Sequence, residues 1–341
     1  MRVAIVGATG AVGQELLAIL RERRFPVTRL RAFASPRSAG KTVSFGENDI
    51  VVEALPEDGD LGADVVFSSA GGSVSKAAAW RWAEHGAVVI DNTSAWRMDE
   101  RVPLVVPEVN PAAALGHRGV IANPNCSTII AMMALAPLHR AFGLTRATVA
   151  TYQAVSGAGA AGIAELAEQT RSVLAGDPPA PSKFRHPIAF NLFSHDSDVG
   201  DDGYNVEERK LTLESRKILG APELAISATC VRVPVFRAHS EAIHAEFARP
   251  VTEADARAVL AAAEGVRLVD DRAGNTFPMP LDASGEDDVL VGRLRADASK
   301  PGAIALFVAG DQIRKGAALN AVQIAEVLVR DGALSRASAT A

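Results

Sequence analysis

The chain opens with an apolar strand, a loop of three glycines and a helix, and this opening restricts the possible folds more than any other feature. Residues 2–6 are predicted as the strand, and residues 14–24 place leucines on one helical face. Between them, Gly7, Gly10 and Gly13 permit a tight turn and close approach of a pyrophosphate to the N–H groups of the helix. The opening therefore predicts a dinucleotide-binding unit, although the same turn also occurs for structural reasons alone.

Strand-like and helix-like segments alternate through the first 127 residues. Further strands are predicted at residues 30–34, 50–55, 64–70, 87–91 and 120–123, with a helix at 74–85. This alternation is typical of a parallel sheet with helices on its faces. We therefore predict an α/β protein whose residues 1–127 form a Rossmann-type nucleotide domain.

The pattern changes in the second part of the chain, where the strand-like segments become longer and alternate more regularly. They are predicted at residues 148–155, 226–236, 241–248, 289–296 and 303–309, with helices near 162–174, 206–219 and 253–264. Such strands favour an antiparallel or mixed sheet in an α+β domain, which we assign to residues 128–312. A helix at about 313–332 is expected to pack back onto the first domain, and residues 333–341 are expected to form a flexible tail.

Composition places the chain among ordinary globular proteins, with 48% hydrophobic and 22% charged residues. The net charge of −5 comes without a basic stripe, so neither nucleic acid nor an anionic membrane is predicted as a partner. The apolar run at 129–138 is too short to cross a bilayer, and no signal peptide precedes the first strand. Cys126 and Cys230 lack the spacing of a zinc site, so we predict a cytoplasmic protein without a metal.

The end of the second predicted strand bears on the choice of cofactor. An NAD site usually has an acidic residue there that binds the ribose 2′-OH. The segment 31–38 contains no acid and instead offers Ser35, Arg37 and Ser38, which suit a 2′-phosphate. The sequence therefore favours NADP. An ATP-type phosphate loop ending at residues 40–42 is rejected, because Ser35 stands where that motif requires a glycine.

Cys126 lies between a predicted strand and a long apolar helix. Pro124 disfavours helix at the residue before it, so Cys126 is expected near the helix N-terminus. The N–H groups and the dipole at such a terminus stabilise a thiolate over a thiol. Cys126 is therefore a candidate nucleophile, and a small buried cysteine that caps a helix is the alternative.

Nucleophilic cysteine chemistry also needs a proton shuttle and groups that bind the substrate. The segment 232–244 offers arginine together with His239 and His244, and spacing does not choose between the two histidines. Arg97 follows a buried strand at the carboxyl edge of the first sheet, where it either binds an anion or lies in a surface loop. Gln153 precedes a flexible loop, whereas the segment 207–210 alone would be interpreted as a solvated helix face.

In combination, these segments resemble the aspartate-semialdehyde dehydrogenase family. The resemblance runs in order from about residue 2 to residue 330. It is carried by Gly7-Ala8-Thr9-Gly10-Ala11-Val12-Gly13, Ala34-Ser35-Pro36-Arg37-Ser38-Ala39-Gly40, Asp91-Asn92-Thr93-Ser94, Val105-Val106-Pro107-Glu108-Val109-Asn110, Asn123-Pro124-Asn125-Cys126-Ser127-Thr128, Thr151-Tyr152-Gln153-Ala154-Val155-Ser156-Gly157, Glu207-Glu208-Arg209-Lys210, Val231-Arg232-Val233-Pro234-Val235 and Gly310-Asp311-Gln312.

The resemblance implies an NADPH-dependent reduction of L-aspartyl 4-phosphate to L-aspartate 4-semialdehyde and phosphate, a step in lysine, diaminopimelate, threonine and methionine biosynthesis. Carried over by position, Cys126 is expected to be the acyl-forming nucleophile and His244 the acid/base. Gln153 would orient the acyl intermediate. Arg237 and Glu207 would hold the carboxylate and the ammonium of the amino acid.

The resemblance also implies the ligands of the phosphate and of the cofactor. Arg97 and Lys210 would bind the phosphate. The expected NADP contacts are Thr9, Gly10, Ala11, Val12, Arg37, Ser38, Ser156, Gly157 and Gln312. Pro36 departs from the small residues common at its position. The family forms homodimers and sometimes tetramers, and the second domain is the expected interface.

Three rival functions agree less well with these residues. A reductase of the same architecture acting on N-acetylglutamyl phosphate would need a site for an acetamido group, whereas Glu207 suits a free ammonium. A cysteine hydrolase or acyltransferase would not need the glycine loop. An NADP-binding regulator without activity would not need a cysteine, a histidine, a glutamine and two cationic pairs. The aspartyl substrate is therefore the favoured interpretation.

Overall fold

The computed structural model describes residues 1–334, so residues 335–341 of the predicted tail lie outside the described residues. Ala333, the first residue of that predicted tail, is buried in the core of the first unit. The chain divides into two compact units. The first comprises Met1–Asn125 with the chain from Ala317 onward, and the second comprises Cys126–Gly316. Each unit contains a sheet and helices, which confirms the predicted α/β class.

The secondary structure follows the predicted alternation in the first unit and the longer strands in the second. The strands are β1 (Arg2–Val6), β2 (Arg29–Ala34), β3 (Thr42–Phe45), β4 (Asn48–Ala54), β5 (Val65–Ser68), β6 (Val88–Asp91), β7 (Val120–Ala122), β8 (Leu144–Gln153), β9 (Phe193–Ser194), β10 (Ala225–Arg232), β11 (His239–Phe247), β12 (Val266–Leu268), β13 (Val289–Ala296) and β14 (Ile304–Gly310). The helices are α1 (Ala11–Glu22), α2 (Gly72–Glu84), α3 (Cys126–Phe142), α4 (Ala160–Leu174), α5 (Val206–Leu219), α6 (Glu253–Ala261), α7 (Pro280–Ala283) and α8 (Leu319–Arg330).

The sheet of the first unit has the order β3-β4-β2-β1-β5-β6-β7. Its strands are parallel except β3, which pairs antiparallel with β4. Strands β5 and β6 are buried along their whole length, as expected where helices cover both faces of a parallel sheet. The strand order reverses at β1, whose neighbours are β2 and β5, and ligands of open α/β folds bind at the carboxyl ends of strands at such a point.

Helix α8 completes the first unit. Its apolar face shares one core with Leu16 and Leu20 of α1 and with Ile5 of β1. Arg23 and Glu326 join α1 to α8 through two hydrogen bonds of 2.7 and 2.8 Å. Both side chains are about one-third exposed, so we attribute the attachment of α8 chiefly to its buried apolar residues.

The sheet of the second unit has the order β12-β13-β14-β11-β8-β10-β9 and is mixed, as predicted. Strand β8 runs parallel to β10 and antiparallel to β11. Helix α3 packs on β8, β11 and β14, and also contacts α5 and α6. This surrounding explains the apolar run near its start, because a helix covered on several sides is buried around most of its circumference.

Residues 1–334 contain neither a membrane-spanning helix nor a cluster of metal ligands. None of the helices there combines the length and the apolar character that crossing a membrane requires. The same residues contain no group of three or more His, Cys, Asp or Glu side chains arranged to hold a metal ion.

Candidate active site

The glycine loop of the first unit borders a cavity of about 460 Å³ at the carboxyl ends of β1, β2 and β5. A Cβ atom on Gly7, whose φ is +92°, would lie 2.8 Å from the carbonyl carbon of Ser69. A Cβ atom on Gly13 would lie 2.3 Å from the carbonyl oxygen of Gly7. Larger residues therefore cannot replace these glycines without moving the backbone. The turn leads directly into α1, whose first N–H groups have no partner inside the helix and suit a pyrophosphate.

The predicted cofactor contacts of the first unit surround this cavity. Thr9 and Gly10 line it, and Ala11 and Val12 form the first turn of α1. Ser35 and Pro36 line the same cavity, and the 3-10 turn Pro36–Ser38 carries Arg37 and Ser38 after β2. Arg37 is exposed. The residues present fit a dinucleotide, since the loop, the helix terminus and cationic and hydroxyl donors meet at one edge of the sheet.

The remaining predicted cofactor contacts lie together in the second unit. Gln312 Nε2 donates a hydrogen bond to Ser156 Oγ, and Gln312 Oε1 accepts one of 2.8 Å from the N–H of Ala238. A Cβ atom on Gly157 would lie 3.0 Å from Arg232 Nη1 and 3.2 Å from His239 Cε1. Gly157 therefore lets the chain pass close to these two side chains.

Cys126 is the first residue of α3, as predicted, and is partly exposed. Gly316 packs beside it, since a Cβ atom there would lie 3.0 Å from Cys126 Cβ. Among residues 1–334 the two cysteines form no disulfide. A helix N-terminus favours the thiolate form of such a side chain, so Cys126 has the position of a nucleophile.

Three buried polar side chains of the second unit converge where β8 and β10 end and β11 begins. Gln153 and Arg232 are register partners at the ends of β8 and β10. His239 is the first residue of β11, and its Nδ1 accepts a hydrogen bond of 3.0 Å from the N–H of Ala154. Their exposures are 1%, 4% and 0% respectively, so their polar atoms are withdrawn from bulk water.

The backbone N–H on Nδ1 fixes the tautomer of His239. A neutral imidazole that accepts at Nδ1 carries its proton on Nε2. Burial lowers the pKa of His239 to about 3, and the charge of Arg232 acts in the same direction, so the ring is neutral near pH 7. No atom of the described chain, residues 1–334, accepts a hydrogen bond from Nε2. A buried donor without a protein partner is uncommon, so Nε2–H is available to a ligand or a water.

His244, the predicted acid/base, lies elsewhere on β11. It is five residues beyond His239, which corresponds to roughly 17 Å along a strand. Its register partner is Thr148, whereas Ser240 pairs with Tyr152 beside Gln153. An odd separation also turns His244 to the opposite face of the sheet, where its side chain is 46% exposed and its Nδ1 lies 2.7 Å from Asp297 Oδ2. The structure therefore does not bring His244 to Gln153.

Arg237, the predicted ligand of the substrate carboxylate, is paired with an acid of its own unit. Its Nε donates a hydrogen bond of 2.6 Å to Oδ2 of Asp311, which is fully buried. Arg232 lies within the segment 232–244, although the sequence alone does not indicate its role. It donates from Nη1 to the carbonyl oxygen of Ala154 at 2.8 Å, and among the described residues its buried Nε has no acceptor.

The pKa of Arg232 responds to several neighbouring groups, and Cys126 is one of them. Burial lowers the pKa of Arg232, while Asp196, Glu207 and Cys126 act in the opposite direction. A guanidinium remains charged even so, and its charge stabilises a thiolate nearby. His195, which the sequence did not indicate, lies 2.9 Å from Arg232 Nη2 through its Nε2. Arg232 can only donate, so His195 accepts at Nε2, and burial lowers its pKa.

Glu207 and Lys210 lie on the first turns of α5 and are joined to Gln153. Lys210 Nζ lies 2.9 Å from Glu207 Oε2, and Gln153 Nε2 donates to Glu207 Oε1 at 3.1 Å. Glu208 completes a capping box with Asn205 and accepts the N–H of Cys230 at 3.0 Å. The cap therefore attaches the N-terminus of α5 to β10 and fixes the position of Glu207.

Arg97 is buried at the carboxyl edge of the first sheet. Its exposure is 7%, its Nε donates to the carbonyl oxygen of Asn123 and its Nη2 donates to that of Asn92, each at 2.9 Å. Asp91 organises the preceding loop, since its Oδ2 accepts hydrogen bonds of 2.7 Å from Ser75 Oγ and from Thr93 Oγ1. The alternative of a solvated surface arginine is therefore wrong for Arg97.

The chain matches family models and known proteins over most of its length. Residues 2–117 match the NAD binding domain of semialdehyde dehydrogenases, and residues 135–315 match their dimerisation domain. An aspartate-semialdehyde dehydrogenase of Synechocystis sp. is 53% identical over 336 residues, covering 97% of this chain and 98% of that protein. That of Aquifex aeolicus is 49% identical, with coverages of 97% and 98%.

Solved structures give the same result. Vibrio cholerae aspartate semialdehyde dehydrogenase II complexed with ASA has a TM-score of 0.94 at 47% identity, covering 97% of this chain and 98% of that chain. Candida albicans aspartate semialdehyde dehydrogenase with NADP has a TM-score of 0.75 at 26% identity, with coverages of 97% and 99%.

The family models together cover most of the chain, and the relatives match it over nearly its full length. The first unit is thus a Rossmann-type domain for a pyridine nucleotide, and the second contains the dimerisation domain. The chain belongs to the aspartate-semialdehyde dehydrogenase family.

Proposed function

We propose that this chain reduces L-aspartyl 4-phosphate to L-aspartate 4-semialdehyde and releases phosphate. The observation that carries the proposal is the buried group formed by Gln153, Arg232 and His239, in the same unit as the helix that begins at Cys126. The unpartnered Nε2 of His239 supports a ligand at this group. The substrate is inferred from the names of the relatives and from the Vibrio cholerae structure with ASA.

Cys126 is the proposed nucleophile. Its thiolate attacks the acyl carbon, a C–S bond forms, and the bond from that carbon to the phosphate oxygen breaks. NADPH, when bound, supplies the hydride that reduces the resulting thioester. The C–S bond then breaks with return of its electrons to sulfur, which restores the thiolate and releases the aldehyde. The positive charge of Arg232 favours the thiolate at the start and at the end of this cycle.

The proposal places His239 at the acyl group in place of His244, as a hydrogen-bond donor. When the carbonyl oxygen of the acyl group gains negative charge, a hydrogen bond from Nε2–H of His239 stabilises it. Gln153 is proposed to orient the same acyl group from the end of the neighbouring strand. A buried donor that is already oriented needs little reorganisation during the reaction, which is why such groups lower activation barriers.

The proposal also assigns the binding of the substrate carboxylate to Arg232 and no longer to Arg237. Arg232 is buried and is adjacent to Gln153, whereas Arg237 already pairs with a buried acid. Glu207 keeps its proposed role as partner of the ammonium. Lys210 and Arg97 keep their proposed role as ligands of the phosphate, for which a guanidinium is suited by its two parallel donors.

We infer NADP as the cofactor, with Thr9, Gly10, Ala11, Val12, Arg37, Ser38, Ser156, Gly157 and Gln312 as its contacts. Arg37 supports this choice, because it is exposed in the turn after β2, beside the cavity lined by Ser35 and Pro36. The match to a dimerisation domain supports a homodimer. Location in the cytoplasm stays a prediction.

Replacing Arg37 by alanine is expected to raise KM for NADP about tenfold, because it removes a charge-assisted hydrogen bond to the 2′-phosphate worth about 1.4 kcal/mol. KM for NAD should change less than about twofold, since NAD lacks that phosphate. Steady-state kinetics with both nucleotides measures the difference. Arg29 is a suitable control, since it is an exposed arginine at the opposite end of β2. Equal use of NAD and NADP by the wild-type protein would refute the NADP assignment.

A paired substrate assay tests the reaction itself. With NADP and phosphate, aspartate semialdehyde is expected to produce an absorbance rise at about 340 nm from reduced nicotinamide. N-acetylglutamate semialdehyde is expected to react at least about a hundredfold more slowly, because its acetamido group cannot form an ion pair with Glu207. Faster reaction of the acetylated substrate would favour the rival reductase, and no reaction with either would refute both.

A further inference from the structure

The side-chain amide of Gln153 is held on both sides inside the second unit. Its Oε1 lies 3.2 Å from Thr151 Oγ1, and its Nε2 lies 3.1 Å from Glu207 Oε1. Thr151 and Gln153 are two residues apart on β8, so both side chains are on the same face of the sheet. Thr151 is 0% and Gln153 1% exposed, so bulk water cannot replace a lost hydrogen bond at either residue.

Cys230 extends this arrangement onto the neighbouring strand. It is the register partner of Thr151, whose hydroxyl acts to lower the pKa of the Cys230 thiol against the larger effect of burial. Cys230 is fully buried, and its burial raises the pKa of the thiol, so the sulfur keeps its proton. A protonated thiol is a weak donor, and the register pairing places Cys230 beside Thr151, so its S–H is a candidate donor to that hydroxyl.

The chemistry of the four groups permits one direction of hydrogen bonding. An amide oxygen only accepts, so Thr151 donates its hydroxyl proton to Gln153 Oε1. The hydroxyl oxygen then remains available to accept the S–H of Cys230. A carboxylate also only accepts, so Gln153 presents Nε2 to Glu207. A rotated amide would instead bring its oxygen against the negative charge of Glu207.

We propose that Thr151 is a positioning residue that acts through Gln153, with Cys230 as its supporting donor. The inference rests on the proposed function, because it assigns the oriented amide to the handling of the acyl group. Thr151 fixes the amide by its oxygen and leaves the second N–H of Nε2 available to the substrate. Without the hydroxyl, the terminal torsion of Gln153 is restrained from one side only, and the productive orientation is populated less.

Replacing Thr151 by valine tests this role, since valine keeps the shape and removes the hydroxyl. The expected result is a kcat lower by about tenfold, with KM for phosphate within about twofold of the wild-type value. Thr151→Ser should keep kcat within about twofold, because it restores the donor. Thr148→Val is the matched control on the other face of β8 and should leave kcat unchanged. Equal losses for Thr151→Val and Thr148→Val would overturn the proposal.

A second substitution separates positioning from a general structural effect. If Thr151 acts through Gln153, then Thr151→Val should change kcat less than about twofold in a Gln153→Met background. The same tenfold loss in both backgrounds would show that Thr151 acts by another route and would overturn the proposal. Urea unfolding of each variant measures any loss of stability independently of turnover.

Infrared spectroscopy of the S–H stretch tests the Cys230 hydrogen bond without turnover. The chain has two cysteines, so Cys230→Ala identifies the band of Cys230 by its disappearance. Thr151→Val should move this band to higher frequency because the thiol loses its acceptor, whereas Thr151→Ser should leave it in place. An unmoved band in Thr151→Val would show that Cys230 does not donate to Thr151 and would overturn its supporting role. A wild-type protein without semialdehyde turnover would contradict the proposed function. The S–H band would still decide whether Cys230 donates a hydrogen bond to Thr151.

Discussion

Replacing Cys126 by alanine is expected to lower kcat by at least about 10⁴-fold, the largest effect of any single substitution in this chain. The proposed reaction proceeds through a C–S bond, and alanine offers no atom that can form it. The remaining residues would still bind and orient the substrate, so a small residual rate is compatible with the mechanism. Phosphate-dependent reduction of NADP by aspartate semialdehyde measures the loss.

The binding of NADP provides the control for Cys126→Ala. The cavity assigned to the cofactor is lined by residues of the first unit, so the dissociation constant of NADP should stay within about threefold. Cys230→Ala offers a second comparison, because it removes the other thiol but leaves the hydrogen bond from Thr151 to Gln153 in place, and it should retain most of the turnover. If Cys126→Ala keeps more than about a tenth of the wild-type kcat, the nucleophile is not Cys126.

Replacing His239 by asparagine is expected to lower kcat by about 10²- to 10³-fold, the second-largest effect. Asparagine is chosen because its side-chain oxygen can accept the N–H of Ala154 in place of Nδ1. The substitution therefore removes the Nε2–H donor while it keeps the backbone contact. Because the pKa of His239 is lowered to about 3, the wild-type ring stays neutral from about pH 5 to 9, and its protonation should not limit kcat in that range.

His244→Asn is the matched control on the same strand. His244 is exposed and pairs with Asp297, so its replacement should change kcat less than about twofold. Parallel kinetics of the two variants at one pH and one salt concentration decides between the histidines. A large loss in His244→Asn together with near-normal activity in His239→Asn would return the role to His244.

The sequence was sufficient to predict most of the fold, because periodicity and glycine placement act locally. The Gly7–Gly13 loop, the parallel first sheet and the mixed second sheet all follow from such patterns. Cys126 was also predicted at the start of a helix, since Pro124 restricts the residue before it. These signals depend on neighbouring residues and need no information about packing.

The choice between His239 and His244 depends on the first residue of β11. The predicted strand began at residue 241, which left His239 in a loop, whereas the strand begins at His239 itself. Successive residues on a strand face opposite sides, so once His239 belongs to the strand, its register decides which histidine lies on the face of Gln153. Ile243 and Ala245 share the face of His239 and are apolar, and this alternation was a signal that could have favoured His239 over His244.

The sequence also could not show which of two arginines lies beside Gln153. Arg232 ends β10 and lies beside Gln153, whereas Arg237 lies in the loop before β11. Spacing in sequence does not reveal that the buried Asp311 neutralises Arg237. His195 was missed for another reason, because it follows the two-residue strand β9, which is too short to show any periodicity.

The contrast between the two thiols has a practical consequence for counting functional molecules. Cys230 is fully buried and its pKa is raised, so an alkylating reagent such as iodoacetamide should not reach or react with it in the folded protein. Cys126 is partly exposed at a helix N-terminus. A fully competent preparation should therefore take up one equivalent of label per folded chain. A smaller number of equivalents would give the fraction of chains with a reactive Cys126, without any engineered residue.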